Sequence, residues 1–151
     1  MKKLVLVQFL TTLCMFMSCT SIQSGKAIDY QLANGYFVRN DAPPTIPSYI
    51  DNERSFDSLF GMAPVMGENG MPTKIDFSRQ SVIPIVLSPT EYSTNILPEN
   101  VEQKGNSIIV NCTIVKGEKP QTYTIQPCAL LVIAKPKDTP KIIIQSINKD
   151  E

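Results

Sequence analysis

Apolar residues are distributed unevenly along this chain. They are densest at the start, where about 14 residues from Leu4 to Met17 are broken only by Gln8, Thr11 and Thr12. Thr20 to Asp29 is polar and lacks a hydrophobic pattern. Beyond it the apolar positions return in short groups. Tyr36-Phe37-Val38 follows an Asn34-Gly35 turn signal and reads as a first strand. Phe56, Leu59 and Phe60 recur at helical spacing, which predicts a helix over Asp51 to Phe60. Asp51 or Asn52 can cap it, Glu53 suits its positive end, and Gly61 suits its stop. Val82 to Leu87 is a continuous apolar run, hence a buried strand, and Pro84 within it requires an amide position on an unpaired side. Ile108, Val110, Cys112 and Ile114 share one face of a strand over Ser107 to Val115, while Ser107, Asn111 and Thr113 occupy much of the other. Tyr123-Thr124-Ile125 and Ala129 to Ala134 read as a strand pair, or as one strand interrupted at Pro127. Lys141 to Ile147 closes the pattern.

The connecting stretches carry turn chemistry. Pro43, Pro44 and Pro47 make Asp41 to Pro47 an extended loop. Met62 to Thr73 is a loop with Gly67 and Gly70. Ser88 to Pro98 reads as a polar loop, Lys104-Gly105-Asn106 as a turn, and Lys116 to Gln121, with Gly117 and Pro120, as a hairpin loop. Several strands with one early helix predict an α+β, mainly β fold: a curled antiparallel sheet, as a small barrel or sandwich, with one short packed helix.

The opening apolar run is too short to cross a membrane well, since about 20 residues are needed. Lys2 and Lys3 precede it, and the small residue Ser18 follows it. This is the pattern of a secretory signal. The next residue, Cys19, makes the junction resemble the lipobox of bacterial lipoproteins, although Phe16 and Met17 stand where the family prefers Leu and then Ala or Ser. The resemblance implies a signal peptide over residues 1–18 and a diacylglycerol on the Cys19 thiol. It leaves a flexible tether over 19–30 and a single mostly-β domain over 31–151. Acyl chains contribute about 0.8 kcal/mol per buried methylene, so such a protein is held on a membrane without spanning it. The first acid after Cys19 is Asp29. With no acidic cluster directly behind the cysteine, the expected location is the cell envelope, at the outer membrane and facing the periplasm.

Composition removes most chemistry. The whole chain has 14 basic and 14 acidic residues, and loss of Lys2 and Lys3 leaves a slight acidic excess. That offers no electrostatic footprint for nucleic acid. With no histidine, Ser-His-Asp and Cys-His nucleophile systems are excluded within the chain. There is no P-loop, dinucleotide fingerprint or C-x-x-C. No cofactor and no metal is expected; Met62, Met66 and Met71 read as flexible filling rather than soft ligands. Glu68, Asp76 and Glu91 flank loops, but their spacing selects no catalytic pair. A tight hairpin near Glu118 would set Cys112 opposite Ile125 rather than Cys128, so Cys112 and Cys128 are expected as two free buried thiols. Asp57-Ser58-Leu59 resembles a short O-glycosylation motif of some Gram-negative anaerobes, making Ser58 a candidate acceptor. Asn111-Cys112-Thr113 matches an N-glycosylation sequon, read as accidental.

Phe56-Asp57-Ser58-Leu59-Phe60, Asp76-Phe77 before the strand Val82 to Leu87, the strand Ile108 to Ile114, and Pro127 before Ala129 to Ala134 together resemble the C-terminal domain of PrcB-type lipoprotein subunits of a bacterial protease complex. The resemblance covers about 100 residues. It departs at Thr90-Glu91-Tyr92-Ser93-Thr94, where that family often has a glycine-rich turn. It implies an accessory or inhibitor-like role in the envelope. The resulting expectation is a non-catalytic module that binds an envelope protein, with Tyr92 and Thr94 as candidate contacts and Tyr92 as an aromatic anchor. The alternative is a small-ligand carrier using the interior of the sheet.

Overall fold

The computed structural model describes residues 25–64, 66 and 70–150. In chain order its elements are β1 (Lys26–Ala27), β2 (Tyr30–Ala33), β3 (Tyr36–Val38), α1 (Glu53–Leu59), β4 (Phe60–Met62), β5 (Gln80–Val86), β6 (Thr90–Lys104), β7 (Ser107–Ile125), β8 (Cys128–Ala134) and β9 (Lys141–Asp150). They form a four-stranded sheet in the order β1-β6-β7-β9, a three-stranded sheet β2-β8-β5 and a small pair β3-β4. The fold is mainly β with one short helix, as the sequence predicts, and none of its sheets closes into a barrel. All pairings are antiparallel except β7 with β9, which run parallel.

The three-stranded sheet lies in the middle of a layered structure. Val82, Leu130 and Val132 project from one face into a cluster with Val38, Ile50, Phe56, Leu59 and Phe60. Ile83, Ile85, Leu131 and Ile133 project from the other face, against Val101, Ile108, Val110 and Cys112 of the four-stranded sheet. A sheet covered on both sides has no polar face, which is why β5 and β8 read as unbroken apolar runs. Pro84 fits because Val82 exchanges both backbone bonds with Ile50, away from β8. Pro84 shares that parity, so its missing N–H falls on the side away from the ladder.

The helix begins where the sequence indicates. Asn52 is extended and its Oδ1 accepts from the Ser55 N–H at 2.9 Å. Phe56 and Leu59 face the middle sheet. The Phe56 ring meets Tyr36 edge-on at 5.1 Å and lies 5.1 Å from Phe60 and 5.5 Å from Phe77. The chain does not stop at Gly61. Phe60 turns extended and Phe60–Met62 pairs with Tyr36–Val38. Gly35, at φ +78°, begins this return, with Pro72 packed so closely that a side chain there would collide with it.

Three expectations are corrected. Lys116 to Gln121 is not a hairpin loop, because β7 runs through it to Ile125. Ser88 to Pro98 is not a loop from Thr90 onward, because β6 starts there and pairs with β7. Gly117 and Pro120 sit in register shifts: Tyr92 is opposite Pro120 and Thr94 opposite Lys116, so β7 carries the extra residues of bulges. The sequence hid this strand because its alternation is carried by Thr90, Tyr92 and Thr94 against Glu91, Ser93 and Asn95, not by aliphatic residues. The part of the expected tether over 19–30 that lies among the described residues is paired as strand at Lys26, Ala27 and Tyr30. Lys26 and Ala27 pair with Gln103 and Glu102, and Tyr30 opens β2 opposite Ile133. The expected signal peptide over 1–18, with Cys19, lies outside the described residues.

Replacing Phe56 with Ala should destabilise the fold by about 3–5 kcal/mol, because the ring is 3% exposed and joins the helix to three other aromatic side chains. Denaturant unfolding of Phe56→Ala checks this, and a loss under 1 kcal/mol would mean that the helix is not clamped by that ring.

Candidate functional site

The four-stranded sheet outruns the layer beneath it. β6 and β7 have 15 and 19 residues against 7 in β5 and in β8. The excess leaves an overhang at the end remote from the Lys104–Ser107 turn. Two adjoining clefts of about 390 and 450 Å³ lie there with Leu87, Ser88 and Pro89 as their common wall, and together they make up a groove. One end lies between Pro44, Ile46 and Ile144. The other is lined by Thr94, Ile114, Lys116 and Lys149. Among the described residues, these two lysines are the only charged residues that line the groove, and of the two Lys116 shares the face of Ile114.

Both expected partner contacts stand at the lysine end, on strand rather than on loop. Thr94 lines the groove. Tyr92 lies two residues away, half-buried, with the Lys116 ammonium 3.8 Å from its ring centroid. The ladder lapses here, and side chains replace its bonds: the Tyr92 N–H donates to Thr90 Oγ1 at 3.2 Å, and Thr94 Oγ1 donates to the Tyr92 carbonyl at 3.0 Å. The bulged backbone is therefore held by hydroxyls, which explains the threonine content of this segment. Lys116, Lys149, Ile144 and Leu87–Pro89 had no signal in the sequence. They come from segments far apart in the chain, and no local pattern reports that they meet.

β9 forms the outer edge of its sheet. The Lys141 N–H donates to the Asn106 carbonyl at 2.9 Å, so odd-numbered residues of β9 direct their backbone groups at β7. By alternation Ile142, Ile144, Ser146 and Asn148 direct theirs outward. The strand is exposed from Ile144 to Lys149, with Ile144 at 39% and Ile147 at 62%.

Of the carboxylates considered earlier, Asp76 and Glu91 are not brought together. Asp76 closes a turn: its Oδ1 accepts from Ser78 Oγ at 2.6 Å and from the Ser78 N–H at 3.1 Å, and its Oδ2 accepts from Arg79 Nε at 2.9 Å. These donors, Ser78 foremost and Arg79 next, lower its pKa from 3.8 to about 2. Glu91 is exposed on β6, and Glu68 lies outside the described residues. Ser58 is exposed on the helix, its Oγ donating to the Ser55 carbonyl at 2.8 Å, while Leu59 is buried in the core. Asn111 and Thr113 are engaged across β6, with Asn100 and Glu99 respectively. Met62 and Met71 line an apolar cleft with Phe56 and Phe77, and Met66 is fully exposed.

Cys112 and Cys128 are free. The expected register was wrong, since Cys112 pairs with Pro98 and Ser146 rather than with Ile125. What separates the thiols is the middle sheet: Cys112 belongs to the cluster on one face and Cys128 packs against the cluster on the other. Burial raises both thiol pKa values, and the Glu99 charge adds to the rise at Cys112.

Comparison with protein-family models, with curated proteins and with solved structures gives no match. Among the described residues no helix is long and apolar enough to cross a membrane.

Asp76 supplies a pH prediction. Its folded pKa lies below the ordinary value, so the stability it adds is full above about pH 4 and is lost as pH falls through about 2. Carboxyl NMR titration should find Asp76 still ionised at pH 3, and Ser78→Ala should move its midpoint upward. An unshifted midpoint near 3.8 in the native chain would reject the turn geometry.

Proposed function

We propose that this chain is a lipid-anchored cell-envelope protein that acts as a non-catalytic protein-binding module. The observation that carries the binding reading is the groove under the overhang, open to solvent and mostly apolar around Ile114, with Thr94 and Lys116 at that end and Tyr92 beside them. An aromatic side chain beside a pocket is a frequent anchor of protein interfaces, with tyrosine among the commonest.

The anchor reading rests on Cys19 behind its short apolar leader, and it fits the position of the groove. The six residue-to-residue steps from Cys19 to Gly25 span at most about 21 Å, whatever path they take. Lys26 pairs with Gln103, next to the Lys104–Ser107 turn. A lipid on Cys19 therefore holds the turn end near the membrane. Lys116 lies nine residues up β7 from Ser107, roughly 30 Å along the strand. The groove then faces away from the bilayer, toward soluble or membrane-projecting partners. In this reading the protein sits on the outer membrane facing the periplasm, and the PrcB resemblance makes a protease one class of partner. The carrier alternative draws no support from the space between the two larger sheets. That space is occupied by Ile83, Ile85, Val101, Val110 and Leu131, each 3% exposed or less.

Two experiments test this. Cys19→Ala should accumulate as full-length precursor without lipid label in cells fed a labelled fatty acid, and normal processing of that variant would overturn the anchor. The tagged full chain should retain a saturable partner from a detergent-solubilised envelope fraction. Tyr92→Ala with Thr94→Ala should weaken that capture about tenfold, and unchanged capture would remove this end of the groove from the binding surface.

A further inference from the structure

We infer that the partner is bound as an added strand. An extended segment of another protein pairs with the outer edge of β9, lays alternate apolar side chains into the groove, and sets an acidic residue against Lys116. This rests on the protein-binding reading above and names the chemistry of what is bound.

Three observations lead there. First, β9 is an edge strand of 10 residues, and from Ile144 to Lys149 its side chains are exposed. The backbone groups of Ile144, Ser146 and Asn148 point away from β7 and toward the space beside the groove. Long edges are usually blunted by proline, a bulge or covering chain, because they template strand addition. β9 contains no proline, and its register with β7 is unbroken from Lys141 to Asp150. Second, the same strand supplies groove residues. Ile144 and Asn148 line it, and they lie on the face of the sheet that carries Val110 and Ile114. A strand added beside β9 continues that face, so every second side chain of the guest lies over the groove, near Ile144 and Leu87. Third, charge fixes one end. Lys116 lies on the groove face in line with Ile114, where Thr94 closes the groove, and no acidic residue lines it among the described residues. A guest carboxylate there completes a charge-assisted contact, whereas a guest lysine is repelled.

Backbone pairing and side-chain selection can be tested separately. The full chain in detergent is panned against a displayed library of random decapeptides. Enriched sequences are expected to alternate apolar residues and to carry an acid at one end. Their synthetic, fluorescein-labelled forms are then titrated by anisotropy. Ser146→Pro removes one outward N–H and leaves the bonds between β7 and β9 intact, so it should weaken binding at least tenfold while the circular dichroism spectrum is kept. Lys116→Glu should weaken the acidic peptides at least tenfold and their amide-substituted counterparts much less. Should Ser146→Pro fail to fold, peptides N-methylated at alternate positions are titrated against the native chain. One of the two methylation phases should abolish binding and the other should not.

Equal binding of both methylated phases, or of Ser146→Pro, would overturn strand addition. So would a library that yields no sequence above background. If envelope capture persists and remains sensitive to Tyr92 while Ser146→Pro leaves it unchanged, the binding module stands and its proposed mode fails. If neither capture nor peptide enrichment is seen, the binding reading itself fails.

Discussion

Burial of one sheet on both faces is the constraint on which the rest of this structure depends. Past Gln80 at its start, β5 with β8 has nothing polar to offer on either side except Ser81, whose hydroxyl is fully buried and has no hydrogen-bond partner among the described residues. Each fully buried Ile, Leu or Val contributes about 1.5–3 kcal/mol relative to exposure. Such strands are stable only between two covers. The four-stranded sheet supplies one cover. The helix with the β3-β4 pair supplies the other, through Phe56, Leu59 and Phe60. Polar ties then set the relative positions of the layers. Tyr30 donates to the Pro98 carbonyl at 2.9 Å and links the middle sheet to the bulge of β6. Lys135 donates to the carbonyls of Asp51 and Phe77, at 2.7 and 3.1 Å, and fixes the end of β8 to the helix start.

The groove is a consequence of mismatched lengths. A middle sheet with seven-residue strands cannot cover a sheet whose strands have up to nineteen. The uncovered part stays a sheet because β6, β7 and β9 pair with one another there and need less from a core. The cost is an exposed inner face. It is met in part by Leu87-Ser88-Pro89, which leaves β5 and passes beneath, and in part by the cation over Tyr92. What is left open is mostly apolar around Ile114, cationic at that end, and flanked by the edge of β9, which is unpaired among the described residues.

How much of this was readable depended on where the information sits. Helix α1 was legible because its cap and apolar face lie within ten residues. β5, β8 and the first part of β7 were legible because packing against a core imposes an apolar pattern that a window of seven residues can display. The free state of Cys112 and Cys128 was anticipated through a hairpin that does not exist; the middle sheet keeps them apart instead. The far half of β7 was illegible for a definite reason. Gly117 and Pro120 are turn residues in most local contexts, and only the bulged pairing with β6 makes them strand residues. Tyr92 and Thr94 could be named from residue type, yet as loop positions, because a strand paired with another polar strand carries no hydrophobic alternation.

By itself the amino-acid sequence determined the class of fold, the buried strands, the helix with its cap, and the poverty of catalytic side chains. These follow from residue type and short-range spacing, since burial and capping act on neighbours in the chain. The tertiary structure alone decided that the middle sheet has two covers, that β9 runs parallel to β7 and presents an open edge, and that Lys116, Lys149, Thr94 and Ile144 line one groove. These depend on which distant strands become neighbours and in which register. That choice is made by the fit of whole faces, which no local stretch of sequence contains.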